Sequence, residues 1–310
     1  MISFGILYFF LTIFMVSNLV FNVGAFMAER FLFLPSAGLC LAAGGGLSLL
    51  AGSLSPARKH LVPLIVATMA LFFMYRTIER NKVWKDDFTL YTHDVKVSAN
   101  SAKGNNIAAK FYAYEAGQSE DTTRRSEYYD EALRLFRRAV QIHPDFIDAW
   151  FHLGNTWYAA RRELDSTLAC YAEVFRLDPE EPNTWTNLRQ LATAGSMDQR
   201  VKVREFILRY QPDDVQSLDA LGSMLVSQER STEALPLFRR MAAIDSTNVR
   251  AFDFLGVIYF QQNKLDSAGL MFRRAMALDP TNRRHRDNLY STLLRQGRTV
   301  EARRLIQPGE

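Results

Sequence analysis

The chain has 310 residues, 48% of them hydrophobic, with 37 basic and 33 acidic residues and a formal net charge of +4. This near-balance lacks the basic surplus that phosphate backbones demand, so nucleic acid is not expected as a partner. The placement of charge says more than its total. Before Glu29 there is no Asp, Glu, Lys or Arg, and none lies between Phe31 and Ala57, whereas beyond Arg76 charged residues recur every few positions. The implied order is a membrane part followed by a water-exposed part.

The first apolar run, 2–20, is long enough at ~1.5 Å per residue to cross a hydrocarbon core of about 30 Å. It reads as a spanning helix. A secretory signal peptide is the rival, but it would need a basic start and a small-residue cleavage site, and the first basic residue is Arg30. The run 36–54 is a second span, with Gly44, Gly45 and Gly46 in its middle to admit a neighbouring helix. The third and shortest, 61–75, is flanked by His60 and Arg76, which can reach the interface. Three spans put the long C-terminal part opposite the N-terminus. Orientation is in conflict: Arg58 and Lys59 draw their loop to the cytoplasm, while Arg76, Arg80, Lys82 and Lys85 follow the third span and outnumber them.

Between the first two spans lies "NVGAFMAERFLFLPSAG", where Glu29 and Arg30 stand together in an apolar stretch. Neighbours on a helix point about 100° apart, so the two are poorly placed to neutralise each other and each needs its own partner. One reading is an interfacial segment with both charges reaching water.

From Asn100 onward short helical segments recur with a ~34-residue period. In "AFDFLGVIYFQQNKLDSAGLMFRRAMALDP", Phe252, Leu255, Gly256, Tyr259, Ala268, Phe272, Ala275 and Pro280 fall at tetratricopeptide-repeat spacings. Gly256 and Ala268 are small where two antiparallel helices touch, Tyr259 and Phe272 fill the space beside them, and Pro280 stops the second helix. Leu221, Gly222, Ala234 and Phe238 repeat the spacing one unit earlier, with Ser246 where proline would be. Trp150, Leu153, Gly154, Trp157, Tyr171 and Pro179 make another unit, and a poorer one runs from Trp185 and Leu188 to Pro212. The first unit shows Ala132, Phe136, Ala139 and Pro144, its turn enlarged by "GQSEDTTRRSEY", and the last begins near Arg283. The expected fold is therefore all-α: about three transmembrane helices followed by a superhelix of about six tetratricopeptide repeats. The corresponding domains are a membrane domain over 1–80, a connecting segment over 81–103 and repeats over 104–310.

In such an array the first helix of each repeat lines a concave groove. By spacing, Phe151, Asn155, Tyr158, Asp219, Ser223, Ser227, Asp253, Phe260 and Gln261 are the groove-facing candidates for holding a polypeptide; the plainer alternative is that each is simply packed or solvated. Trp150, Trp157 and Trp185 read as core. The basic pairs Arg137 and Arg138, Arg239 and Arg240, and Arg273 and Arg274 fall on second helices and read as a solvated convex face. His60, His93, His143, His152 and His285 show no metal-ligand spacing, and Cys40 and Cys170 make neither a disulfide framework nor a zinc site. No metal, cofactor or catalytic constellation is expected in the water-exposed part.

"SNLVFNVGAFMAERFLFLPSAGLCL", a further span, "RNKVWKDDFTLYTHDVKVSANSAKGNNIAA" and the repeats together resemble the C-terminal half of the transmembrane and tetratricopeptide-repeat O-mannosyltransferases. The "AER-x-L-x-LPS-x-G" element, Ala28 to Gly38, and the element at Trp84 carry the resemblance most specifically. These proteins are similar to C-type glycosyltransferases, which use a polyprenyl-phosphate sugar on the extracytoplasmic side. The resemblance implies repeats on the lumenal or periplasmic side, against the basic-residue count. It also sharpens the reading of the opening pair: Arg30 would hold a lipid-linked phosphate, because guanidinium offers a planar pair of donors matched to phosphate oxygens, and Glu29 would orient a neighbouring group. In that family the catalytic acidic residue lies in the first extracytoplasmic loop of a much longer membrane domain, which this chain lacks. The sequence is then either part of a longer enzyme or a non-catalytic, membrane-tethered interaction scaffold. Expected partners are membrane lipid, a polypeptide in the groove and a polyprenyl-phosphate sugar.

Overall fold

The computed structural model describes residues 1–16, 32–56 and 60–306. Two compact units divide the chain, 1–90 and 91–310. The first holds α1 (Ile2–Val16), α2 (Phe33–Ser53) and α3 (Leu61–Val83). Both α2 and α3, at 21 and 23 residues, are long and apolar enough to cross a membrane. The described part of α1 is 15 residues, or about 22 Å. The expected first span to residue 20 runs beyond the described residues.

Pro35 and Pro63 each stand in the first turn of their helix, where an N–H would have no intrahelical partner anyway. Helix α2 thus starts at Phe33, before the proline, where the expected second span begins after it. Helices α1 and α2 touch backbone to backbone at Gly5 and Gly38: a Cβ on Gly38 would lie 2.6 Å from the Gly5 carbonyl oxygen. Gly45 packs on Ile2, but Gly44 and Gly46 meet nothing among the described residues. Among the described residues the "GGG" run is therefore a helix contact at one position, and the closest approach of α1 and α2 falls on glycines that stand alone in sequence. Helix α3 continues eight residues past Tyr75 to Val83, with Lys82 paired to Glu79 and the Arg80 guanidinium 6.0 Å from the Trp84 ring.

In the second unit, after α4 (Asp87–Val97), come six helical pairs. They are α5 (Ala102–Gln118) with α6 (Thr122–Ile142), α7 (Ile147–Arg161) with α8 (Leu164–Leu177), and α9 (Pro182–Leu191) with α10 (Met197–Tyr210). Then follow α11 (Val215–Ser227) with α12 (Ser231–Ile244), α13 (Val249–Gln261) with α14 (Leu265–Leu278), and α15 (Arg283–Arg295) with α16 (Thr299–Ile306). The small-against-large code of the sequence is what joins them. A Cβ on Gly154, Gly222 or Gly256 would lie 2.9, 2.7 or 2.5 Å from the ring of Tyr171, Phe238 or Phe272 respectively. Each glycine lets the aromatic of its own second helix lie against the first, and Ala234, Ala268 and Ala302 are fully buried beside them.

Two expectations change. The insert "GQSEDTTRRSEY" is not an enlarged turn. It lengthens both helices of the first pair, leaving only Ser119 to Asp121 between them, where Asp121 accepts from Thr123 and Arg124 N–H groups. A carboxylate on those free donors starts α6 about two turns earlier, relative to its buried Ala132, than α12 and α14 start relative to Ala234 and Ala268. Nor are the basic pairs merely solvated. In each pair the first arginine reaches forward to the next repeat: Arg137 stacks at 4.6 Å from Trp157, Arg239 donates to the Tyr259 hydroxyl at 2.8 Å, and Arg273 pairs with Glu301 at 3.2 Å. The second reaches back to the loop before its own repeat: Arg138 to Asn100, Arg240 to Asp213 and Arg274 to the Ser246 carbonyl.

The third pair is the irregular one. Leu188, Arg200 and Arg204 stand where Gly256, Ala268 and Phe272 stand two repeats later. Arg204 is 5% exposed and donates to Ser217 of α11 at 3.1 Å, with its Nε unpaired.

Candidate functional site

The first helices of consecutive repeats are joined by a ladder of polar contacts, and four of the nine groove candidates, Asn155, Asp219, Ser223 and Asp253, are among its rungs. Asn106 of α5 donates to Asp148 of α7 at 2.7 Å. Asn155 of α7 accepts from Asn187 of α9 at 2.9 Å and from the Tyr171 hydroxyl at 2.5 Å. Arg250 of α13 bonds Asp219 at 2.9 Å and Ser223 at 3.2 Å, both on α11. Asp253 of α13, 6% exposed, accepts from Asn288 of α15, meets the His285 Nδ1 at 3.2 Å and lies 3.5 Å from the Arg284 guanidinium. Gln261 accepts from Ser231 at 2.6 Å, Ser227 bonds its own helix at the Met224 carbonyl, and Phe260 lies 4.9 Å beneath the Arg295 guanidinium. Tyr158 stacks under Arg162, and Phe151 lies parallel to Tyr171. Asn155, Asp219, Ser223, Asp253 and Gln261 thus join neighbouring repeats, Ser227 bonds its own helix, and the nine do not converge on one place.

What does converge is the surface on either side of α7. Between α5 and α7 a depression of about 720 Å³ is lined by Ile107, Phe111, Tyr114, Tyr129 and Phe136, with Lys110, His152 and Asn155 at its polar points. Tyr114 is 62% exposed. Between α7 and α9 a second depression of about 570 Å³ is lined by Asp148, Phe151, His152, Glu181, Asn183 and Asn187, among others. Of the sequence candidates, Phe151 and Asn155 belong to this surface. Sequence reasoning missed the α5 contribution because that helix carries Asn105 and Ala109 where α7 carries Trp150 and Gly154, so the code fails at its most visible positions. The apolar run of Ile107, Phe111 and Tyr114, at helical spacing, is the signal that marks it.

The second depression is anionic. Hydrogen bonds from His152 outweigh burial, and with Asn106 and Lys110 they hold the Asp148 carboxyl well below the usual carboxylate range. Burial raises Glu181, but hydrogen bonds from Thr184 and Asn183 at the start of α9 overcome it and leave the carboxyl low. Both are carboxylates at neutral pH.

Among the described residues no group of three His, Cys, Asp or Glu side chains could hold a metal ion. Cys170 is buried, and burial pushes its thiol up to about 12, which makes it an unreactive packing group. Trp185 is core, stacked at 4.4 Å on Phe175, whereas Trp157 is only half-buried between Arg137 and Arg161. Glu29 and Arg30 lie outside the described residues.

With this geometry in view, residues 249–282 match the tetratricopeptide repeat family model. The mouse protein O-mannosyl-transferase TMTC3 is 24% identical over 248 residues, 75% of this chain and 25% of that protein. The fruit-fly protein O-mannosyl-transferase Tmtc2 is 33% identical over 139 residues, 44% of this chain and 13% of that protein. The chain is similar to the protein O-mannosyl-transferases. It spans about a quarter of the length of the mouse relative. Solved structures with a similar repeat arrangement include MamA, at 15% identity and TM-score 0.29 over 64% of this chain and 87% of that one. Another is YrrB, described as a TPR protein with an unusual peptide-binding site, at 16% identity and TM-score 0.31 over 63% and 95%. This chain is thus a tetratricopeptide-repeat protein related to the O-mannosyl-transferases, and its two long apolar helices suggest association with a membrane.

Proposed function

We propose that this chain is the membrane-anchored, polypeptide-holding part of a protein O-glycosylating system that uses a polyprenyl-phosphate sugar. Residues 1–80 form its membrane domain, 81–103 the connection, and 104–310 an array of repeats on the extracytoplasmic side. The observation that carries the reading is the pair of depressions flanking α7. An accessible apolar surface beside an anionic, amide-rich one on an otherwise internally bonded ladder suits an extended chain better than a small metabolite. Resemblance to protein-modifying membrane enzymes gives that chain a role as glycosylation acceptor or as partner of the catalytic part.

The test is site-specific cross-linking in the full-length protein reconstituted in nanodiscs. A photoreactive residue at Tyr114 should capture an added unfolded polypeptide, and the same residue at Leu270, equally exposed at 63% but on a second helix, should not. Equal capture at both positions overturns the reading. Asn155 is a poor place for such a probe, because its replacement breaks a rung of the ladder.

Arg30, with Glu29, keeps its proposed place as the site for the lipid-linked phosphate. Arg30→Lys should weaken polyprenyl-phosphate binding by about tenfold, or ~1.4 kcal/mol, while insertion is unchanged. Equal binding by Arg30→Lys and Arg30→Gln would leave only an interfacial role. Orientation is read by protease added outside the cytoplasmic membrane, which should degrade the repeats and spare the spans; protection of a C-terminal tag reverses the assignment.

A further inference from the structure

The two depressions beside α7 differ in what they leave unsatisfied, and the difference specifies a ligand. In the one between α5 and α7 the lining is aromatic and aliphatic. Its volume of about 720 Å³ is ample for one large apolar side chain with its backbone.

In the other, each amide and hydroxyl donor that α9 brings to the lining already makes at least one bond within the protein. Asn187 gives its Nδ2 to Asn155 and Tyr171, Asn183 gives its Nδ2 to Glu181, and Thr186 gives its hydroxyl proton to the Pro182 carbonyl. Asn106 and Lys110 donate to Asp148. What the depression mainly offers a ligand is oxygen: two amide carbonyls, a hydroxyl and two carboxylates. Glu181 has no ion pair among the described residues, while Asp148 has Lys110 at 3.4 Å and His152 at 3.2 Å. A site that presents acceptors and a carboxylate that caps α9 but has no ion pair among the described residues, with Ile147 and Phe151 beside them for an alkyl stem, fits a cationic donor.

Because the depressions occupy successive furrows between first helices, their centres are separated by about one interhelical distance, ~9 Å. An extended chain covers that in about three residues at ~3.3 Å each.

We infer that the α7 surface recognises an extended segment carrying a large apolar side chain and, about three residues away, a lysine or arginine. This rests on the polypeptide-holding reading above and specifies its ligand. His152 lines both depressions and places the two subsites side by side.

The test is fluorescence anisotropy on the full chain in nanodiscs, using labelled Ser/Gly peptides. One peptide carries Phe and Arg separated by two residues; the others replace Phe with Ser, replace Arg with Glu, or place the two side by side. The Phe-x-x-Arg peptide should bind at least about tenfold more tightly than its Arg→Glu counterpart, with the preference reduced by added salt. Glu181→Gln keeps an acceptor oxygen to cap α9; it should lose the preference for Arg over Glu while keeping that for Phe over Ser. Tyr114→Ser, on an exposed side chain, should do the reverse. Binding that tolerates every peptide equally overturns the two-point inference and leaves the polypeptide reading standing. Failure of all the peptides to bind, in a protein whose helical signal is intact, overturns both.

Discussion

Arg239 of α12 donates to the Tyr259 hydroxyl of α13 at 2.8 Å, while its neighbour Arg240 turns back to Asp213 before α11 at the same distance. One dipeptide thus ties its repeat to the unit ahead and to the loop behind. In an array that contacts only near neighbours, such ties set how far unfolding spreads. A double-mutant cycle on Arg239→Gln and Tyr259→Phe should give a coupling energy of about 0.5–1 kcal/mol, modest because both groups are accessible. Urea unfolding of the full chain in detergent reads it; additive effects of the two substitutions would show that the contact contributes nothing.

The turn inside each pair from the second to the sixth carries a residue with positive φ. Arg162, Glu229 and Asn263 stand at 54°, 62° and 60°, and Gly195 and Gly297 at 79° and 76°. Left-handed backbone disfavours a side chain by about 1–2 kcal/mol, and glycine avoids that cost. Glu229 is exposed, so its removal sacrifices little else. Glu229→Gly should therefore stabilise the array by up to ~1 kcal/mol, seen as a higher urea midpoint with unchanged m. Asn263→Gly should gain less, because asparagine tolerates this conformation. A fall in midpoint for Glu229→Gly contradicts the account.

These turns show what the sequence could reveal. The pairing of Gly256 with Phe272, and of Gly222 with Phe238, was legible because residue type and spacing both report a close helix contact. The turn strain was not legible at Arg162 or Glu229, since neither residue type advertises positive φ. Gly5 and Gly38 were hidden by the more conspicuous run at Gly44 to Gly46, because period alone does not say which face a neighbour takes. For the groove, spacing selected Asn155, Asp219, Ser223 and Asp253, which stand in contacts between first helices. It could not show that Asp219 and Asp253 are occupied by Arg250 and by the His285 and Asn288 side chains, which come from the next repeat.

Arg204 occupies the place of Phe272 in the third repeat, and burial lowers its guanidinium from the ordinary value without discharging it. Its one hydrogen bond is to Ser217, and no carboxylate pairs with it among the described residues. Replacing a buried ion pair by well-packed apolar residues of similar volume is often neutral or stabilising by about 1–4 kcal/mol, because the charges no longer have to be desolvated, and the same cost falls on a buried guanidinium without a carboxylate partner. Arg204→Met should gain about 1–2 kcal/mol, the lower part of that range, because Ser217 loses its partner. Arg204→Phe should gain less, since Leu188 stands where glycine makes room for the ring in the other repeats. Thermal unfolding ranks the two; destabilisation by Arg204→Met would show that the charge holds α10 against α11.

Asp148 makes the array sensitive to acid. Its carboxyl is held low in the folded protein by His152, Asn106 and Lys110, against an ordinary value near 3.9 in the unfolded chain. A carboxylate with a depressed pKa binds fewer protons folded than unfolded, so its contribution is complete above the unfolded value and is lost as pH falls towards the folded one. The window is therefore below about pH 5. The side chain is 45% exposed, so solvent screening reduces the contribution to roughly 1 kcal/mol. Asp148→Asn should lower stability by about that amount at pH 7 and by progressively less below about pH 4, so that the two unfolding curves converge in acid. Because Asn106 and Lys110 lie on α5, the loss should appear first as loosening between the first two repeats. Hydrogen exchange along α5 would register it, and a stability difference between the parent chain and its Asp148→Asn variant that stays constant from neutral pH down to about pH 3 would remove Asp148 from this role.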